Sequence, residues 1–255
     1  ICSIDLRLKN ARTYVRACFY FKTRLMENIR RKINGFSTLS TVGFLLFFAR
    51  SSVGSVSSSY LGSFLSPTLV TLLFVALAIV NIIVLAIIPP ILRAVGVLPV
   101  FVWLVPIAQL AIFLYGLSKD FRIVVIFFIV QGVALMLLSY LMDLYVENIT
   151  DDETKTGNVR SLFLFAANLA TLLAPLAIIF LVINDYYPPL FALAAVALAP
   201  VFVLSLTKLK KLDPRPPQES SFFETLGGLW TCHHSIARAI GAPFILQMLD
   251  RKSVV

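Results

Sequence analysis

Arg50 is a permanent cation set in an apolar stretch, and serines follow it at positions 51, 55, 59 and 63. Residues four apart share a helix face, so Ser51, Ser55, Ser59 and Ser63 form one hydroxyl stripe, with Gly54, Ser58 and Gly62 as a second stripe of small residues beside it. Such a face either lets another helix approach closely, or lines a water-filled path in which serine hydroxyls and Tyr60 bind a solute. A charge at the centre of an apolar helix costs at least about 2.5–3.5 kcal/mol on insertion scales, so Arg50 must have a partner. That partner is a bound anion or strong acceptor, or else carbonyls, water or an acid elsewhere in the protein. Asn81, Gln109, Gln131 and Asn168 add one carboxamide to each of four further apolar stretches. Each amide can bridge helices or hold a neutral solute. The expected substrate-binding set is Arg50, Ser55, Ser59, Asn81, Gln109 and Gln131.

A second group of residues is charged. Asp143 and Glu147 lie four apart on one helix face, where like charges repel unless cations share them. Arg93 and Arg160 are expected on the same membrane side and are the natural partners. Together the four make a conformational ion-pair cluster, able to hold one state and break in another. With a rise of about 1.5 Å per residue, Asp143 is expected about 15 Å shallower than Arg50. No nucleophile, base and orienting group coincide on one side, so the residues do not read as an enzyme. Cys2, Cys18 and Cys232 have no metal or disulfide spacing, and Cys232-His233-His234 is only a faint cluster. No metal and no cofactor are expected.

The elements that must position these residues are six apolar stretches, at about 36–63, 68–92, 98–117, 122–146, 161–183 and 187–207. A hydrocarbon core about 30 Å thick takes roughly 20 residues of helix, and each stretch is long enough. The chain is 59% hydrophobic and 14% charged, with a mean hydropathy of +0.90, outside the range of soluble domains. An all-α membrane protein follows, with lipid as its surroundings. The net charge of +9 is topogenic and not a nucleic-acid footprint. Nine basic residues precede the first stretch, and Lys208, Lys210, Lys211 and Arg215 follow the sixth. Only Lys119 and Arg122 would lie outside if the N-terminus is inside. The N-terminus and the 208–235 linker are therefore expected on the cytoplasmic side of the cytoplasmic (inner) membrane.

The ends read differently from the middle. Residues 1–32 form a basic arm. Met26 is a candidate start, which would make residues 1–25 upstream translation; a genuine cytoplasmic arm is the other reading. The six-helix domain spans 33–207, the linker 208–235, and 236–249 opens a seventh apolar helix. Residues Asp250 to Val255 read like one frame of a sequencing adapter, so the chain is taken as a fragment of a longer protein.

Several of these stretches resemble the major facilitator superfamily. Asp143-Leu-Tyr-Val-Glu147, the acidic turn, Gly157-Asn-Val-Arg160 and Asn168-Leu-Ala-Thr-Leu-Leu-Ala-Pro175-Leu are similar to its region between spans four and five. The Arg93 to Gly96 turn takes the place of its loop between spans two and three, keeping that loop's glycine and one arginine but not its aspartate. Ala174-Pro175 resembles the Gly-Pro of the span-five antiporter motif, with Leu176 and Ala177 where glycines would follow. The resemblance covers about residues 33–249. It implies a six-helix bundle of the major facilitator type with the start of a seventh helix, and spans one and four lining a central cavity. It also implies a missing C-terminal six-helix half as partner, and secondary active transport of a small solute by alternating access. The alternative is a non-transporting sensor, receptor or scaffold built on the same helices.

Overall fold

The structure, a computed structural model, describes residues 37–149, 153–182 and 186–212. The arm before residue 37, the linker beyond residue 212, the seventh apolar segment and the terminal hexapeptide lie outside them, as do Cys232, His233 and His234. The described residues are helical: α1 (Ser37–Gly62), α2 (Pro67–Val95), α3 (Val97–Leu117), α4 (Phe121–Ile149), α5 (Glu153–Leu181) and α6 (Pro188–Thr207). A short 3-10 turn, Leu209–Leu212, follows α6. All six helices are long and apolar enough to cross a membrane. The expected boundaries hold to a few residues at most ends. The largest differences are at α5, whose helix starts at Glu153 within the acidic turn, and at the ends of α2 and α4, which run three residues further.

Local chemistry explains the breaks. Pro67 opens α2 at a position where a missing N–H costs nothing. Gly96 alone separates α2 from α3, with φ of 94° and its N–H donated to the Leu92 carbonyl at 2.9 Å. That backbone angle strongly favours glycine. Pro89 and Pro90 in α2, Pro106 in α3, Pro175 in α5 and Pro200 in α6 sit inside helices. Each deletes one ladder bond, to the carbonyl four residues earlier, which a neighbouring helix or water must satisfy.

Packing follows an alternating up-and-down course. α3 packs along both α4 and α6, α2 on α4 and α3, and α5 on α6 and α4. The ring of Phe74 meets Phe128, and Leu77 lies against Gly132. Both pairs keep nearly the same offset, so α2 and α4 run parallel. α1 threads the group. Phe47 meets Phe163 of α5, and Tyr60 meets Tyr115 of α3 and Phe191 of α6. At Gly116 the Phe191 side chain comes so close that even a Cβ would overlap it, which is how α3 and α6 approach. Large apolar side chains stand exposed along α2 (Leu72, Val75, Ile79, Ile82) and α5 (Phe165, Leu169, Leu172, Ile179). Among six membrane helices that pattern is a surface for lipid or for more protein, since lipid tails are as apolar as leucine.

Candidate functional site

The two faces of α1 differ sharply. Leu39, Val42, Leu46, Ala49, Val53, Val56 and Tyr60 are buried at alternating spacings of three and four, the period of a helix packed along one side. On the other side Arg50, Gly54, Ser55, Ser58, Ser59, Gly62 and Ser63 are exposed. A Cβ built on Gly54 or Gly62 would meet nothing within 4 Å. The hydroxyl stripe expected from the sequence is therefore split. Ser51 is half-buried and donates to Thr171 Oγ1 of α5 at 3.1 Å, a packing contact. Ser55 and Ser59 stay on the open face, and Ser55 returns its proton to the Ser51 carbonyl at 2.8 Å. Its oxygen lone pairs remain available as acceptors. Ser52 and Ser57 are fully buried on the packed side.

Arg50 is not isolated. Its Nη1 donates to Ser139 Oγ of α4 at 2.8 Å, and that hydroxyl in turn donates to the Leu135 carbonyl at 2.8 Å. Asp143 is one turn beyond Ser139 on the same helix, about 6 Å along the axis. Its carboxylate feels both Arg160 and Arg50. The bond to Ser139 brings the end of the arginine side chain to within about one turn of Asp143 along α4, a reach that a residue count along each helix axis leaves out. Of the expected charged cluster, Asp143 lies within electrostatic reach of Arg160 as well as Arg50, and Arg93 is exposed in the last turn of α2. Glu147 is exposed on the same face of α4, and its charge acts on Tyr140.

The amides go to different places. Gln131 is 3% exposed, and its Oε1 is buried without a hydrogen-bond partner among the described residues. Asn81 of α2 is half-buried with its Oδ1 likewise unpaired. Asn168 is exposed on α5. Gln109 is half-buried in a groove between α3 and α6 that also holds Pro106, Leu110, Phe113 and Val196. The structure therefore gathers Arg50, Ser139, Asp143 and the open α1 face, and sets Gln109 on a separate helix pair. Ser139 is a site residue that the sequence analysis did not single out, although its place four residues before Asp143 is the signal that would have found it.

The other end of α1 is closed by aromatic packing. The Tyr60 hydroxyl lies 3.1 Å from the Tyr115 carbonyl and 2.9 Å from that of Ser118, where α3 ends and its last carbonyls have no helical donors. Its ring stands 5.0–5.6 Å from those of Phe64, Tyr115, Tyr187 and Phe191. Tyr60 is thus a fastening between helices and not a wall residue of a solute path.

Compared with known proteins, the chain matches no family model and no curated protein.

Proposed function

We propose that the six helices form one half of a secondary transporter of the major facilitator type, which moves a small solute across the cytoplasmic membrane by alternating access. One observation carries this reading: α1, a helix apolar and long enough to cross the membrane, keeps a hydroxyl-bearing face open alongside Arg50. A polar face at that depth has to meet water, solute or protein, because hydrocarbon offers it no hydrogen bonds. Arg50 uses Nη1 on Ser139 and is exposed, which leaves its remaining guanidinium donors available to a solute rich in acceptors. Ser55 and Ser59 supply lone pairs for donors of the same solute. The carbonyl oxygens of Asn81 and Gln131, without a partner among the described residues, are ready for water or for a rearranged helix pair. Asp143, within electrostatic reach of Arg160 and Arg50, couples the Arg50 site to the charged helix ends. The partner half closes the open face, the N-terminus and the linker are cytoplasmic, and lipid covers α2 and α5.

The test is a thermal-shift screen of the full-length protein against a metabolite panel, followed by uptake of each binder into proteoliposomes with and without a pH gradient. Uptake of a binder, reduced by Arg50→Gln, supports transport. Binders that shift the melting temperature but never cross the vesicle membrane point instead to the sensor or receptor reading.

A further inference from the structure

The groove between α3 and α6 has a volume of about 360 Å³ and is open on one side. Its lining is apolar except at one point, the Gln109 carboxamide, which makes no hydrogen bond to any described residue. Gln109 is the thirteenth of the 21 residues of α3, about 18 Å from its start, and so sits near the middle of a bilayer. Lipid headgroups lie too far away to reach it, and acyl chains carry neither donor nor acceptor. A second feature of the same groove points the same way. Pro200 has no N–H, so the carbonyl of Val196, a lining residue near the middle of α6, loses its ladder donor. Two donors and an acceptor on the amide, with a freed carbonyl beside them, all meet one apolar opening at mid-depth.

We infer that this groove is the contact between two copies of the chain, related by a twofold axis that passes beside Gln109. A primary carboxamide is self-complementary: the N–H of one Gln109 donates to the Oε1 of the other, and the reverse bond forms by symmetry. The second N–H of each amide is free to reach a Val196 carbonyl. Ala192 and Ala195 keep the floor of the groove low, which lets a facing helix approach closely. Leu110, 58% exposed, and Phe113, 43% exposed, provide the apolar rim that shields these bonds. The contact uses a different face from the open side of α1 and stands whether or not the transport reading does.

The test is energy transfer between donor- and acceptor-labelled copies of the full-length protein in lipid vesicles, followed as the protein is diluted with lipid. Transfer should persist beyond random proximity. Interhelical polar bonds in membranes average about 0.6 kcal/mol each, so losing two corresponds to roughly tenfold weaker association. Gln109→Leu should show that loss with its melting temperature unchanged. Ala192→Leu, which fills the groove and leaves Gln109 in the chain, should weaken association too. Leu110→Cys copies, with the native cysteines replaced by serine, should cross-link across the axis. Transfer no greater than random at every dilution would mean that lipid alone fills the groove, and association untouched by Gln109→Leu would equally overturn the inference.

Discussion

Replacing Ser139 by alanine tests how Arg50 is held, because it removes the acceptor and leaves every charge in place. The bond measures 2.8 Å from a cationic donor to a hydroxyl that is itself polarised by donating to the Leu135 carbonyl. Hydrogen bonds to charged groups contribute about 1.5–3 kcal/mol where water is excluded. Arg50 is exposed on the open side of α1, so solvent competes and the figure must be discounted. Interhelical bonds measured in membranes rarely pass about 1.7 kcal/mol, and a coupling of about 1 kcal/mol is the expected value. The assay is a double-mutant cycle of Ser139→Ala and Arg50→Met, read as thermal unfolding of the purified full-length protein in detergent. The double variant should be less destabilised than the two singles summed, by about 2–4 °C at the usual scaling for a chain of this size. Strictly additive singles would show that the bond holds nothing, and would leave Arg50 free to serve the solute with its whole fork.

Three further outcomes are expected. Asp143→Asn and Arg160→Gln should be non-additive in stability or transport, while Asp143→Asn and Arg93→Gln should simply add; coupling to Arg93 in place of Arg160 would reverse the assignment of the cluster. Cysteines placed at Ser55 and Ser59 should react with a water-soluble maleimide much faster than cysteines at Ser52 and Ser57, which are 0% and 2% exposed, and equal rates would mean that the α1 face is not open. Gly116→Ala should cost about 1–3 kcal/mol by unfolding, since its Cβ would stand 2.8 Å from Phe191 ring carbons, whereas Gly54→Ala, with nothing near it, should cost none.

The sequence showed the helices well and their surroundings poorly, and the cause is physical. Length and apolarity mark a membrane helix whatever it faces, so α2 and α6 were legible as spans. Which side of them meets lipid was not, because lipid and protein core are both apolar and leave no periodic contrast. α1 is the exception. Its polar side made the stripe through Ser55 and Ser59 readable. Gln109 and Gln131 look alike in sequence, each one amide in an apolar run, yet one lies in an open groove and the other is buried. Arg50 was legible as a residue in need of a partner. That partner was not, since a side chain of its length reaches across the offset between two helices that a residue count along each axis ignores.

The junction at Gly96 sets how the protein responds to proteases. Arg93 is an exposed basic residue, and so a nominal cleavage point for trypsin. A protease must draw several residues of extended chain into its cleft, and here a single residue separates Val95, the last of α2, from Val97, the first of α3. Cutting at Arg93 therefore requires the last turn of α2 and its bond from Gly96 to Leu92 to open first. The α2–α3 pair should survive digestion as one uncut fragment under native conditions, and a clip at Arg93 would report fraying of that turn.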